Sequence, residues 1–122
     1  MKIREAIAQV DENLANVCAP KSKIGWLSLL DHRVKTKIVD THEDGEKILF
    51  DGYDTETDPE TELLVYAPYD EMYLRWLEAQ IHYVNQEEDR YNNAMDIFNR
   101  LWVEFRNDYN RKHMPLGCRL KF

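Results

Sequence analysis

The sequence predicts a mainly α fold, a small bundle of about four helices with an extended loop or β-like hairpin arm between helices two and three. Three observations lead there. Gly and Pro number only four each in 122 residues, too few for a fold of many tight turns. Apolar residues recur at helical steps of three and four through most of the chain. Between residues 44 and 67 that period stops and turn residues gather. The length predicts one domain, able to bury roughly two-thirds of the surface its unfolded chain exposes. With 43% hydrophobic and 32% charged residues, the chain reads as globular. The expected organisation is a helical domain over 1–109, including the acidic arm 44–67, and a basic tail over 110–122.

Each element has its own signal. Ile3, Ile7, Val10, Leu14 and Val17 form one stripe that Pro20 interrupts. Ser22 is a candidate N-cap for the second helix. There Ile24, Leu27, Val34 and Ile38 line one face, widened by Trp26, Leu29 and Leu30. This helix is expected to end near Asp40 to Glu43, with Gly45 in a turn or cap. "KILF" and "ELLVYAP" read as two short β-like runs around an acidic loop, with Asp51-Gly52 and Asp58-Pro59 as turns. Pro68 fits the first turn of the third helix, with Asp70 and Glu71 at its positive end. Tyr69, Met72, Tyr73, Trp76, Leu77, Gln80, Ile81 and Val84 follow at helical spacing. Asn85 and Gln86 connect to a fourth helix running to about Tyr109, which makes an antiparallel αα-hairpin. Its inner stripe is Tyr91, Phe98, Trp102, Phe105 and Tyr109.

The formal net charge of −7 argues against tight, sequence-independent nucleic-acid binding, which draws its affinity from Lys and Arg on phosphates. Cys18 and Cys118 are isolated and give no disulfide framework, which points to a reducing cytoplasm. No apolar run approaches the roughly 20 residues of a membrane span, and "MKIREAIAQV" does not read as a signal peptide.

Catalytic and metal signals are weak. The loop carboxylates Asp51, Asp54, Glu56, Asp58, Glu60 and Glu62 alternate, but neither Asp51 nor Asp54 starts a calcium loop with Gly at its sixth position. His32, His42, His82 and His113 form no HExxH pair and read as solvated or hydrogen-bonded structural groups. There is no P-loop, GxGxxG or nucleophile elbow. The chain is expected to be no enzyme and to need no cofactor.

Charge is segregated instead. From Glu43 to Glu62 there are nine acids and one base, Lys47. From Arg106 onward, Arg106, Arg111, Lys112, Arg119 and Lys121 face one acid, Asp108. Such segregation suits either solvated segments or two partner surfaces. Partner or oligomer contacts are expected at Asp54, Glu56, Asp58 and Glu60 in the loop, and at Asn92 and Asn93 early in the fourth helix. In the tail they are expected at Asn110, Arg111, Lys112, His113, Arg119 and Lys121. Truncation after Tyr109 is expected to spare the fold and abolish docking, and Trp102 to be costly to remove if it is fully buried.

The fragments "KIGWLSLLDHRV", "TH", "GYDTETDPETELLVYAPYDEMYLRWLEAQI", "RYNNAMDIFN" and "YNRKHMP" stand in order from about Lys2 to Pro115. In them the chain resembles small tailed-phage and prophage head–tail connector proteins, also called head-completion or adaptor proteins. The resemblance implies a small helical subunit whose copies form a ring beneath the portal in the virion neck, after synthesis in the host cytoplasm. Double-stranded DNA would pass through without specific binding. The partners would be further copies, the portal protein and the next neck or tail-completion protein, with no membrane. The C-terminal segment would reach toward the portal, although "LGCRLKF" matches no family motif. Two other readings stay open: a small acidic helical binding module that regulates or inhibits a host or phage protein, and a metal-dependent enzyme using the acidic loop.

Overall fold

Four α-helices form within residues 1–116, the part of the chain that this computed structural model describes. They are α1 (Ile3–Asn13), α2 (Pro20–Lys37), α3 (Glu71–Val84) and α4 (Glu88–Lys112). Single 3-10 turns span Val39–Thr41 and Gly45–Lys47. The mainly helical small bundle read from the sequence is therefore the observed class.

α1 starts where Glu5 accepts a hydrogen bond from the Lys2 backbone N–H at 2.9 Å, half of a capping box. It buries Ile3, Ala6 and Val10. The stripe expected to continue to Val17 stops at Asn13. Asn16 donates to the Leu14 carbonyl (2.8 Å) and to Asp11 (3.1 Å), and accepts from the Cys18 N–H (3.1 Å). These local side-chain bonds compete with helix propagation, and Val17 is left fully exposed.

α2 opens on Pro20 itself, with Ala19 as N-cap in place of the expected Ser22. A proline at the first helical position loses no hydrogen bond and already has a helical φ. The helix ends at Lys37, earlier than expected, and the 3-10 turn takes over. Gly45 does sit in a turn. A Cβ there would lie 2.4 Å from the Val39 carbonyl oxygen, so only glycine fits.

Residues 48–70 do not form a hairpin: among the described residues "KILF" and "ELLVYAP" do not pair with each other. The segment wraps the bundle instead. Ile3 N–H donates to Thr61 O (3.0 Å), Arg4 N–H to Pro59 O (3.0 Å) and Leu63 N–H to Met1 O (2.9 Å). Tyr53 N–H donates to Ser28 Oγ on α2 (3.0 Å). Leu63 and Val65 are drawn into the core, while Leu49 stays 88% exposed. The apolar side chains of the second run gain more from burial against the helices than from a marginal two-stranded ribbon.

α3 and α4 form the expected antiparallel hairpin around a short turn, with Gln86 in the left-handed region at φ 59°. α3 begins at Glu71, so Pro68 precedes the helix instead of opening it. The core between the two helices is aromatic: Trp76 lies 5.3 Å from Phe98, and Phe105 lies 5.2 Å from Tyr66 and 6.0 Å from Tyr69. Each fully buried side chain of this size contributes about 1.5–3 kcal/mol relative to exposure. Members of the expected stripes differ in burial: Val84 is exposed, and Tyr91 and Trp102 are only half-buried. α4 also runs past Tyr109 to Lys112, so Asn110, Arg111 and Lys112 are helical.

Candidate functional site

Asp31 lies on the apolar face of α2, four residues after Leu27 and three before Val34, and is wholly buried. Its carboxylate accepts from Tyr53 Oη (2.5 Å), Tyr73 Oη (2.6 Å) and the Leu64 N–H (3.1 Å). Tyr73 Oη in turn accepts from the Val65 N–H at 2.8 Å. One side chain thus ties α2, α3 and the wrapped segment together. Burial pushes the Asp31 carboxyl above the usual carboxylate range, and its three donors oppose that push. Burial, followed by the Asp31 charge, also raises the phenols of Tyr53 and Tyr73. The cluster's donors and acceptors match one another, as suits a structural lock. Sequence reasoning passed over Asp31, although a carboxylate in register with Leu27 and Val34 was the available signal.

The loop carboxylates expected to meet a partner mostly serve the loop. Asp54 accepts from the Glu56 N–H (2.8 Å) and Asp58 from the Glu60 N–H (2.9 Å), two Asx turns. Glu56 is exposed. Glu60 clasps α1, accepting from Arg4 Nε (2.6 Å) and Lys2 Nζ (2.8 Å). The Arg4 hydrogen bond, then that of Lys2, pulls the Glu60 carboxyl down to about 2. Among the described residues no group of three or more His, Cys, Asp or Glu is placed to hold a metal ion.

At the C-terminal end of α4 the expected contact residues bond within their own chain while staying at the surface. Asn110 Oδ1 lies 2.6 Å from His42 Nε2, and His42 Nδ1 lies 2.5 Å from the Ile38 carbonyl. The His113 ring rests on Tyr109 at 3.9 Å. Arg111 (3.1 Å) and Lys112 (3.0 Å) share Asp108, which also accepts from Tyr66 Oη (2.8 Å). The Lys112 hydrogen bond, then that of Tyr66, lowers the Asp108 carboxyl. Beyond the helix, Glu43 N–H donates to Met114 O (2.8 Å) and Leu116 N–H to Thr41 O (2.9 Å). Residues 110–116 therefore pack on the bundle rather than trailing from it as a tail. Arg119 and Lys121 lie outside the described residues.

The surface left open is at the other end of α4. Tyr83, Val84, Gln86, Glu88, Tyr91 and Asn92 line a groove of about 650 Å³ at the turn of the hairpin. Tyr83 is 70% and Val84 56% exposed, and the Tyr83 and Tyr91 rings stand 5.7 Å apart. Glu87 braces the turn, bonding His82 Nδ1 (3.0 Å) and Arg90 (3.1 Å). Asn92 and Asn93 are both exposed, and Asn92 is on the groove wall. The sequence put the two amides on α4, but it counted Val84 in the apolar stripe of α3 and passed over Tyr83, and both are exposed at the tip. A second, smaller groove of about 270 Å³ lies beside half-buried Trp102, between Arg33, Lys37 and Phe98.

Among the described residues no helix is long and apolar enough to cross a membrane. No family model, curated protein or solved structure matches the chain.

Proposed function

We propose that the chain is a structural subunit of a phage neck. Copies form a ring beneath the portal, complete the head, extend the DNA channel and join head to tail. The observation that carries this reading is the exposed apolar tip of the α3–α4 hairpin, where Tyr83, Val84 and Tyr91 surround an open groove. Rigid aromatic side chains on a two-helix support suit a protein contact. The connector-like fragments supply the role, and the net charge of −7 suits a channel that duplex DNA passes without adhering. The partners are further copies, the portal and the next neck or tail-completion protein. No catalytic step and no cofactor enter this role.

Negative-stain microscopy of the chain mixed with its portal tests the reading. A ring of density seated on the portal is expected. Bare portals, together with capture of the monomer by an unrelated host enzyme, would instead favour the small regulatory binding module.

A further inference from the structure

We infer that the groove between α2 and α4 beside Trp102 docks an acidic segment of a partner protein, one that seats a large apolar side chain between carboxylates. This goes beyond the neck reading, which relies on a different surface, the hairpin tip. The groove holds about 270 Å³ over a buried apolar floor of Leu30 and Phe98, with half-buried Trp102 as one wall. That is below the roughly 300–1,000 Å³ of small-molecule pockets and suits a single large side chain. Trp and Arg are also the side chains that most often anchor protein contacts.

The charges at the rim choose the occupant. Arg33 and Lys37 stand one turn apart on the α2 wall, both exposed and neither with an ion-pair partner among the described residues. Arg33 lies over the Trp76 ring, 5.4 Å from its centre, which holds the guanidinium in place without neutralising it. Arg106, one turn beyond Trp102 on the same face of α4, is likewise exposed and unpaired. No acid lines the groove. On α4, Asp96 and Glu104 stand about 120° and 160° round the helix from Trp102. Asp40, just past the end of α2, is bonded to Lys35.

Three unpaired bases therefore border an apolar groove on a chain whose net charge is −7. A purely apolar occupant would leave them without counter-charge. An acidic segment answers them, and each arginine can give a carboxylate two parallel hydrogen bonds. A basic segment would meet like charge, which costs affinity. A nucleic-acid strand draws its affinity from many phosphate contacts, and three bases on an acidic chain supply few. A second copy docked symmetrically would set Arg33 and Lys37 against their own counterparts.

Selection of a displayed random peptide library on the full chain, followed by fluorescence anisotropy of the selected peptides, tests this. The peptides are expected to share one aromatic or leucine-sized residue flanked by Asp or Glu, and to bind more weakly in high salt. Lys37→Glu and Arg106→Glu should each weaken binding about tenfold, and Trp102→Ala more than either. All three positions reach the surface, and circular dichroism confirms folding of each variant. Changing the acids of a selected peptide to Lys should abolish binding to the wild type and restore it to the chain carrying both charge reversals. No shared sequence, a basic one, or binding that ignores these substitutions overturns the inference. Tighter binding of an oligothymidine in the same assay overturns it in favour of a nucleic-acid strand. A wild-type dimer in sedimentation that Lys37→Glu dissociates overturns it in favour of a second copy. The neck reading stands or falls separately, on the portal experiment.

Discussion

Asp31 shows how one residue can decide the path of a loop. Its three donors come from residues 53, 64 and 73, so removing the carboxylate strands two phenols and a backbone N–H in the interior. Asp31→Ala should cost at least about 3 kcal/mol in urea unfolding, given what unpaired buried donors cost. Asp31→Asn, which keeps the shape and an acceptor, should cost less. The pH dependence has a definite sign. The fold raises the Asp31 pKa, so it holds that proton more tightly than the unfolded chain does. Stability from this group is present below the ordinary Asp range and is lost as pH rises through the raised value. Wild type should therefore lose ground to Asp31→Asn over that interval, and a pH-independent difference would refute the assignment. Glu60 works in the opposite direction. Its clasp on Arg4 and Lys2 is intact above the ordinary Glu range and weakens as pH falls toward about 2.

Among the helices, periodicity identified the faces but did not rank their members. Trp76 is 4% exposed, donates from Nε1 to the Trp26 carbonyl (2.8 Å) and packs on Phe98. Trp76→Ala should cost about 3–5 kcal/mol. Trp102 is half-buried, so Trp102→Ala should cost only about 1–2 kcal/mol, in proportion to the smaller area it hides. Equal losses in chemical denaturation would contradict this ranking. The end of α4 reverses an expectation more sharply. Cutting after Tyr109 removes the Asn110 contact to His42, the His113 ring on Tyr109 and the pairing of residues 114 and 116 with the 41–43 turn. That truncation should lower the thermal midpoint by several degrees, since each kcal/mol shifts a domain of this size by about 4–8 °C. That result would refute the reading of residues 110–116 as part of a dispensable tail.

Over the whole molecule, the two ends of α4 divide the work. The C-terminal end closes the bundle through His42, Tyr66 and Asp108, and the N-terminal end presents the open groove that the neck proposal relies on. Much of this was legible in sequence. Four helices, the tight α3–α4 hairpin and the irregular segment between α2 and α3 follow from local rules: a spacing of three and four, a proline that interrupts the first stripe, and turn residues between 44 and 67. Asn92 and Asn93 were placed early in α4 on the same grounds. What the loop packs against was not legible, because Tyr53, Leu64 and Tyr73 meet Asp31 only after α2 and α3 have docked. Nor were the roles of Glu60 and Asn110 legible. A charged or amide side chain looks alike in sequence whether it faces water, a partner or its own fold. The partners of Glu60 and Asn110 lie 56 to 68 residues away along the chain. Sequence by itself determined the helices and where they break, since those depend on neighbours within a turn or two. Tertiary structure alone decided which polar side chains are spent inside the fold and which surface remains for a neighbour, because that choice depends on contacts no local spacing encodes.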